Sequence, residues 1–500
     1  MNDFWKEKFD VVVVGAGIGG LTAGAVLAKG EKKRVLVIEK ESEIGGRGMS
    51  WRGDDTDYKT INRMRIGATK TRCIETYPST KEIQERELLS GYVVEAGLHG
   101  IPPWMRHKYV FDYLNLPFFS FICDYAEYFH KGKKYRLLRS EKPEWLSESE
   151  WTEIRNINRV QAMMSMEEAE EYDHISFKEW LSDHTSSENV IEFQTVLAAL
   201  NMTINDLGRI SAGDLIKENR QTMRARCHFS EGGIGTLPDP GFNIMAYRLR
   251  DLINRLGGSV VTGVTVKKIE VHGEAVNKIH VSVEGEEYEI ESDTVFLNVP
   301  IQNCFKLIDK KHFPQEVVEK VGNFEPAASF VAEWGLKKPL VKGPIHVPAL
   351  LKAEEGFAGD VFFSMWSPSA WAPTRAPLGQ QSLEAYTPLT AEEGKDKVKV
   401  KMVIDRTLQF LDTNYPEFRK NLIWAEYMVA DVLIGVSQMP DQVFDSKIEN
   451  KCPWIDGLYF VGDTAKCWGA ASDAAVHSAL RAISQLTEKD YLKILPEYQR

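Results

Sequence analysis

The sequence predicts an α/β protein in which a Rossmann-like parallel sheet is built from distant parts of the chain. The first observation is VVVVGAGIGGLTAGAVLA at 11–28, where four valines of a buried strand lead into glycines and a helical pattern. The second is RVLVIEK at 34–40, a strand that closes a βαβ unit. The third is a strand, turn and helix pattern at 456–483, near the other end of the chain.

The glycines in the uncharged stretch at 11–28 distinguish a nucleotide-binding loop from a membrane span or a signal peptide. Such a stretch also occurs in membrane spans and signal peptides. Residues 3–10, however, mix acids with lysines, whereas a signal peptide has a basic flank. Gly15, Gly17 and Gly20 have the spacing G-x-G-x-x-G directly after the valines. This context predicts a dinucleotide-binding loop; a buried βαβ unit without a ligand is the alternative.

Each residue of this unit has a predicted role. Gly15 permits a tight turn, Gly17 lets the backbone approach a pyrophosphate, and Gly20 allows close packing of helix on strand. The N-terminus of the helix then faces the phosphates. Glu39, at the end of the second strand, is placed to accept hydrogen bonds from ribose hydroxyls, which suits NAD and FAD alike.

Two further elements favour FAD over NAD. Gly45, Gly46 and Arg47 follow the second strand, where the chain turns back and an arginine can pair with pyrophosphate. Near the C-terminal end, Gly462 and Asp463 follow the strand at 458–461, where the carboxylate can bind a ribityl hydroxyl. Small residues then open a helix whose dipole can stabilise a reduced flavin ring. An extended FAD needs this second element, and NAD does not.

Composition excludes several classes of function. The chain has 500 residues and a formal net charge of −11, which argues against binding of nucleic acid. The cysteines and histidines show no spacing typical of a zinc site or a disulfide framework. We therefore expect a reducing, cytoplasmic location. The six cysteines are Cys73, Cys123, Cys227, Cys304, Cys452 and Cys467.

These motifs together resemble the flavin amine oxidase and phytoene desaturase superfamily, and within it the phytoene desaturase-like branch. The resemblance rests on GAGIGG with Glu39, GGR at 45–47, GGIGTLPDPGF at 232–242 with the helix and strand that follow, DTVFLNVP at 293–300, APLG at 376–379 and GLYFVGD at 457–463. It implies a GR2-type flavoprotein with non-covalent FAD, and a valine, Val266, against the adenine. The resulting cofactor-binding residues are Gly15, Gly17, Ile18, Gly20, Glu39, Lys40, Gly46, Arg47, Val266, Gly462, Asp463 and Ala474.

The chain departs from the family pattern after Arg47. GYVVEAGL at 91–98 carries Glu95 and Leu98 where the family usually has aspartate and proline. An insertion of 43 residues, 48–90, precedes it and includes the basic YKTINRMRIGATKTR. We expect a solvated surface excursion, with contact to a partner, an anionic membrane or an acidic substrate group as the alternative.

The resemblance also implies a discontinuous architecture. The FAD-binding domain would comprise residues 1–98, 225–300 and 445–500. An α+β substrate-binding domain would comprise 99–224 and 301–444 and would cover the flavin.

Hydride transfer to or from FAD requires neither a protein nucleophile nor a metal, so catalytic candidates are few. His99 is the one that we assign, since it follows the segment matched to a flavin-adjacent element. His477, Cys467 and Trp468 are further residues near the ring. A histidine in this setting is also commonly a hydrogen-bonded structural group.

Aromatic side chains in the substrate segments predict a hydrophobic substrate, possible contact with a membrane surface, or simply a packed core. These residues are Trp104, Phe111, Phe118, Phe119, Phe121, Trp366 and Trp371.

Three functions remain open. The first is desaturation, saturation or isomerisation of carbon–carbon bonds in an isoprenoid-like substrate. The second is oxidation of an amine or a porphyrinogen-like molecule. The third is non-catalytic binding of prenylated partners.

Overall fold

The computed structural model describes residues 4–97, 100–138, 141–226, 235–351 and 361–500. Within these ranges the chain forms a parallel sheet covered by helices, a large mainly antiparallel sheet, and a group of helices between them. The predicted α/β fold with a Rossmann-like unit is confirmed.

The first unit is built on a five-stranded parallel sheet. Its strands, in spatial order, are β10 (Ser259–Val261), β2 (Val35–Ile38), β1 (Val11–Val14), β14 (Val295–Leu297) and β20 (Leu458–Phe460). The central strand β1 pairs with β2 and β14, and all four of its valines are buried. Strands from both ends of the chain therefore share one sheet.

Four helices share an apolar core with one face of this sheet. They are α1 (Ile18–Gly30), α4 (Arg106–Tyr113), α10 (Asn243–Arg255) and α15 (Ala471–Thr487). Val110 and Phe111 of α4 lie in the same core as Val11 and Val13. The segment around α4 thus packs with the first unit, although the sequence analysis assigned residues from 99 onward to the substrate domain.

An antiparallel sheet covers the opposite face. Its strands are β11 (Val264–His272), β12 (Ala275–Val283) and β13 (Glu286–Glu291), and helix α11 (Gln315–Gly322) packs against the same core. Val12 and Val14 of β1 face this side, so the sheet is buried on both faces, as a parallel sheet requires.

The second unit is built on an eight-stranded sheet. Its strands, in spatial order, are β4 (Thr71–Tyr77), β19 (Leu422–Ile434), β15 (Ala327–Leu336), β18 (Gln381–Leu389), β17 (Val361–Trp366), β16 (Ile345–Leu351), β7 (Tyr125–His130) and β8 (Lys133–Leu137). Helix α13 (Lys397–Asn414) and the short helix α14 (Phe418–Asn421) cover one face. The other face carries polar and aromatic side chains.

Shorter elements connect these layers. The remaining helices are α2 (Tyr58–Thr69), α3 (Thr80–Glu85), α5 (Glu148–Met163), α6 (Met166–Glu170), α7 (Phe177–Ser182), α8 (Glu188–Met202), α9 (Ala212–Arg226) and α12 (Pro368–Trp371). The remaining strands pair as β3 (Ser50–Arg52) with β5 (Val93–Glu95), and β6 (Phe121–Ile122) with β9 (Gly235–Thr236). Among the described residues, no helix combines the length and apolar character that crossing a bilayer requires.

The insertion at 48–90 is an integrated part of the fold, so the expectation of a solvated surface excursion is wrong. Strand β4 extends the eight-stranded sheet by pairing antiparallel with β19. In helix α2, Ile61, Met64 and Arg65 are buried, at the i, i+3, i+4 spacing of one helix face. Arg72 pairs with Asp431 at 2.8 Å, while 40 % of its side chain stays exposed.

Candidate functional site

Two positions after β1 accept only glycine: Gly15 in the loop and Gly20 in the first turn of α1. Gly15 has φ +101°, and a Cβ there would lie 2.6 Å from the carbonyl oxygen of Asn298. A Cβ on Gly20 would lie 2.3 Å from the carbonyl oxygen of Gly15. Both distances are below van der Waals contact, so the turn and the packing of α1 on β1 require these two glycines.

Gly17 differs because it faces an open side. Among the described residues, a Cβ there would meet only Asn298 Nδ2, at 3.0 Å. Gly17 is also the N-cap of α1, and no side chain caps that helix. Ile18 is its buried first residue. The first N–H groups of α1 therefore remain available, which suits a phosphate.

Glu39 follows β2 and is held by backbone donors. The N–H of Ala16 donates to Oε2 at 2.9 Å, and the N–H of Glu41 donates to Oε1 at 3.0 Å. Burial raises the pKa of this carboxyl group despite these hydrogen bonds. Each oxygen keeps a lone pair that can accept a ribose hydroxyl. The neighbouring Lys40 instead exposes its side chain and pairs with Glu41 at 3.3 Å.

Val266 lies on the strand next to Glu39. The N–H of Val264, on the same strand β11, donates to the carbonyl oxygen of Glu39 at 2.9 Å. Val266 itself is 9 % exposed and belongs to the core between the two sheets. The strand that carries Val266 therefore lies beside Glu39, through the backbone of Val264.

The GGR turn contacts the first glycine loop. The N–H of Gly45 donates to the carbonyl oxygen of Ala16 at 2.9 Å, and a Cβ on Gly46 would lie 3.2 Å from Gly17 Cα. Arg47, expected to pair with pyrophosphate, pairs with Asp463, with Nη1 and Oδ2 2.8 Å apart. This ion pair joins the N-terminal and C-terminal cofactor elements.

Asp463 lies three residues beyond the end of β20. Its Oδ2 also accepts the N–H of Gly435 at 2.8 Å. Burial alone would raise the pKa of this carboxyl group, but the paired Arg47 guanidinium outweighs burial and lowers the pKa. Gly462 has φ +115°, which a residue with a side chain rarely adopts. Asp463 is therefore a fixed anion at the carboxyl edge of the sheet.

Helix α15 begins beside this carboxylate with small residues. Its N-cap, Ala470, makes no side-chain capping hydrogen bond. Ala474 is fully buried in the first turn. A flat ring can approach the backbone here, and the N-terminal dipole favours negative charge on that ring.

Asn298 is a site residue that the sequence analysis missed. Its Nδ2 donates to the carbonyl oxygen of Gly15 at 3.1 Å. A Cβ built on Gly19 would lie 2.9 Å from its Oδ1, and one built on Gly462 would lie 3.3 Å from it. Asn298 thus links the two glycine turns. The sequence feature that could have identified Asn298 is its position directly after the buried strand in DTVFLNVP. Polar residues at such positions lie together at the carboxyl edge of a parallel sheet.

The catalytic candidate His99 lies outside the described residues. His477 is buried, and neither ring nitrogen has a hydrogen-bond partner among the described residues. Burial and nearby cations lower the pKa of His477, so its ring is neutral. Cys467 is also buried, and burial raises the pKa of its thiol. Neither side chain has the environment of an activated nucleophile.

These features fit FAD. Two helix N-termini without side-chain caps, those of α1 and α15, lie at one edge of the parallel sheet. Near the N-terminus of α1 lie Gly17, which faces an open side, and the carboxylate of Glu39, which suits a ribose; an ADP moiety requires both. The second has Asp463 and a stretch of small residues, as a ribityl chain and ring require. No group of three or more metal-ligating side chains occurs in the described part of the chain.

Glu39→Ala is expected to weaken FAD binding by about 1–3 kcal/mol, because the ribose hydroxyls and two buried N–H groups lose their acceptor. Glu39→Gln keeps one carbonyl acceptor and should lose less. Titration of the apoprotein with FAD, followed by flavin fluorescence, measures both affinities. Equal affinity of Glu39→Ala and the wild type would exclude the assignment.

Comparisons with known proteins agree with this geometry. Residues 13–86 match a family described as an NAD(P)-binding Rossmann-like domain. The chain is 40 % identical over 68 residues to amine oxidase [flavin-containing] A of Bos taurus, covering 14 % of this chain and 13 % of the relative. It is 49 % identical over 68 residues to all-trans-retinol 13,14-reductase of Rattus norvegicus, covering 12 % and 10 %.

A longer match is to 15-cis-phytoene desaturase of Capsicum annuum, 26 % identical over 327 residues, which covers 63 % of this chain and 51 % of the relative. All three matches thus span less than two thirds of the relatives.

Solved structures share the whole fold. An oxidoreductase from Methanosarcina mazei has a TM-score of 0.68 at 17 % identity, covering 96 % of this chain and 100 % of the other. Wild-type putrescine oxidase has a TM-score of 0.62 at 14 % identity, covering 96 % and 99 %. The chain is therefore similar in sequence and fold to proteins of the flavin amine oxidase and phytoene desaturase superfamily, and FAD is the cofactor that its site fits.

Proposed function

We propose that this protein is an FAD-dependent oxidoreductase that acts on carbon–carbon bonds of a hydrophobic, isoprenoid- or carotenoid-like substrate. The reaction is a desaturation, saturation or isomerisation with hydride transfer between a substrate carbon and the flavin. The observation that carries the proposal is an aromatic cluster on the sheet of the second unit, combined with the FAD site of the first.

The aromatic cluster lies between the eight-stranded sheet and helix α8. It includes the predicted residues Trp366 and Trp371, together with Phe362 and Tyr386, and Phe121 packs against it. The ring centroids of Trp366 and Tyr386 are 6.2 Å apart. The four side chains are at most 6 % exposed, so the cluster is packed in this structure, and a substrate that lay against it would bind mainly by removing apolar area from water. Phe111, by contrast, belongs to the core of the first unit.

Two relatives support chemistry on carbon–carbon bonds. One is named a phytoene desaturase and the other a retinol 13,14-reductase. Both names describe a polyene substrate. Transferred to this chain, they favour an extended apolar molecule over a small amine.

The residues of the chain would bind and orient the reactants. FAD supplies the hydride chemistry when bound. The N–H groups at the start of α1 would hold the pyrophosphate, Glu39 the ribose, and Asp463 the ribityl chain. The start of α15 would stabilise negative charge on the ring. The second unit would exclude water from the reacting carbons, and His99 would be the proton carrier.

The purified protein is expected to be yellow and to release free FAD on acid precipitation. The cofactor elements provide hydrogen-bond acceptors and N–H donors, whereas the buried Cys452 and Cys467 have thiol pKa values raised by burial. Absorption spectroscopy of the supernatant and the pellet measures this. A colourless protein that cannot be reconstituted with FAD would instead favour a non-catalytic binder.

The substrate class can then be tested under anaerobic conditions. We expect polyenes or their dihydro derivatives to change the redox state of the bound flavin. Primary amines of similar size serve as the comparison, and NADH and NADPH are not expected to reduce the flavin rapidly. Bleaching by amines alone would assign the protein to the oxidases.

A polar cleft gives the amine oxidase alternative a specific basis. The cleft has a volume of about 410 Å³ and is lined by Asp206, Glu392 and Asp396, among others. It also includes Ser437, two residues beyond Gly435, whose N–H binds Asp463. Its four carboxylates outnumber its two cations, Arg209 and Lys399, and this balance favours a cationic ligand.

A further inference from the structure

A row of three glutamates crosses the eight-stranded sheet on the face opposite α13. Glu333 of β15 is in register with Glu384 of β18 on one side and with Glu426 of β19 on the other. The three side chains are only 0–2 % exposed. Like charges directly opposite one another in a sheet are destabilising, so this row requires compensation.

Compensation comes from two buried arginines, one of them in the 48–90 insertion. Arg65 Nη2 lies 2.6 Å from Glu333 Oε2, and its Nη1 lies 2.9 Å from Glu426 Oε2. Arg375 Nη2 lies 3.6 Å from Glu384 Oε1 and 3.0 Å from Oε1 of a fourth carboxylate, Glu95 of β5. We name the six residues the carboxylate cluster: Glu95, Glu333, Glu384, Glu426, Arg65 and Arg375.

Among the described residues, the carboxylate cluster contains fewer positive charges than acids. Four carboxyl groups face two guanidinium groups, and all six residues are at most 2 % exposed. Tyr58 also faces the cluster, and burial raises its pKa, so it adds no charge. Full ionisation of the four carboxyl groups would bury two negative charges that no described cation compensates. A carboxyl group in that position takes up a proton, and burial raises the pKa of Glu384 and also that of Glu333, the latter to about 7.

Glu384 is the carboxyl group best placed to hold the proton. Glu426 accepts the Tyr58 hydroxyl at 2.7 Å in addition to Arg65. Glu333 accepts Arg65 and the N–H of Glu95. Glu384 Oε2 has no hydrogen-bond partner among the described residues. Burial and the nearby Glu95 raise the pKa of Glu384 well above its ordinary value.

Arg375 connects the carboxylate cluster to the border of the cofactor site. Its Nη1 donates to Thr236 Oγ1 at 2.8 Å, in the GGIGTL element. Its other partner, Glu95, precedes Ala96, whose N–H donates to the carbonyl oxygen of Met49 at 2.8 Å. Met49 lies two residues beyond Arg47 of the GGR turn. A neutral Glu384 leaves the charge of Arg375 free to hold Glu95 and this segment.

We propose that the carboxylate cluster binds a proton, carried by Glu384, in the native protein at neutral pH, and that this proton allows Arg375 to position the two segments bordering the flavin site. The positioning role rests on the proposed FAD-dependent function, whereas the bound proton does not. Glu384 and Arg375 are positioning residues rather than catalytic ones.

The sign of the pH dependence follows from the raised pKa. An unfolded glutamate loses its proton near pH 4.3, whereas the native Glu384 keeps it to higher pH. This contribution to stability is complete below the unfolded pKa and is lost as the pH rises through the native value. The urea midpoint of the wild type should therefore fall between about pH 6 and about pH 9.

Glu384→Gln and Glu426→Gln provide a matched pair from the same row. At neutral pH, Glu384→Gln should release about one proton fewer on unfolding than the wild type. Its midpoint should exceed that of the wild type by a margin that grows as the pH rises, so its alkaline decline should be shallower. Glu426→Gln should lower the midpoint at every pH and keep the decline, because it removes a partner of Arg65. Calorimetric unfolding in buffers of different ionisation enthalpy counts the protons.

Three results would overturn the bound proton. They are an alkaline decline unchanged in Glu384→Gln, an equal number of released protons, or a failure of this neutral isosteric variant to fold. The wild type alone also tests the bound proton, because a wild type that releases no proton on unfolding at neutral pH would exclude it.

The positioning role is tested by flavin fluorescence, since Glu384→Gln should retain FAD at alkaline pH better than the wild type. Loss of FAD at the same pH in both would refute positioning. If the protein binds no FAD at all, the proposed function fails while the proton count still stands.

Discussion

Replacing Arg65 by methionine is expected to lower the free energy of unfolding by about 3–5 kcal/mol. The guanidinium lies between Glu333 and Glu426 and also donates from Nε to the carbonyl oxygen of Glu95 at 2.8 Å. Methionine has similar length but no donor, so two buried carboxylates and a carbonyl lose their partner. Urea unfolding followed by tryptophan fluorescence measures the loss.

The pH dependence of this variant provides a second signature. The carboxyl groups left without Arg65 can be neutralised by protonation, so the loss should be smaller at about pH 5 than at about pH 8. Arg63→Met is the matched control, since Arg63 lies two residues away on α2 and is exposed. We expect the control to change stability by less than about 0.5 kcal/mol. Equal effects at the two positions would contradict the buried network.

Replacing Gly20 by alanine is expected to weaken FAD binding about tenfold or more. The new Cβ would lie 2.3 Å from the carbonyl oxygen of Gly15 and 3.0 Å from the Cβ of Asn298. Backbone cannot yield as a flexible side chain does, so the start of α1 must move away from β1. Such overpacking costs about 1–3 kcal/mol and displaces the N–H groups that would face the pyrophosphate. Equilibrium titration with FAD measures the effect.

Gly24→Ala is the control on the same helix. A Cβ there would lie 3.1 Å from Ile253 Cδ1, the far end of a flexible side chain. Alanine also favours a helix interior over glycine by about 1 kcal/mol. We therefore expect FAD affinity close to that of the wild type. Similar losses at both glycines would mean that α1 tolerates no substitution, and would remove the argument for a specific contact at Gly20.

Local backbone chemistry explains which parts of the site the sequence could predict. The strand, glycine loop and helix at 11–30 appear as β1 and α1, and the pattern at 456–483 appears as β20 and α15. Glu39 and Asp463 lie at strand ends, as their positions in these patterns indicate. Each feature depends on residues close together in the chain, so a hydrophobic period and a glycine spacing suffice to identify it.

Local sequence patterns could not predict contacts between residues that are far apart in the chain. The ion pair between Arg47 and Asp463 joins residues 416 positions apart, so nothing local could show that the arginine faces this carboxylate. Asn298 is in contact with Gly15 from 283 positions away. A single polar residue after a strand carries no indication of the turn that it will contact.

The sequence by itself determined the βαβ unit, the two cofactor elements and the resemblance to the superfamily. Each of these depends on glycine sterics and on strand and helix periods, which are visible in short stretches of the chain. The tertiary structure decided that the 48–90 insertion supplies an edge strand and Arg65, and that Glu333, Glu384 and Glu426 lie side by side. A glutamate in a strand is usually solvated. Only the register of β15, β18 and β19 buries these three glutamates side by side, so their protonation depends on the tertiary structure.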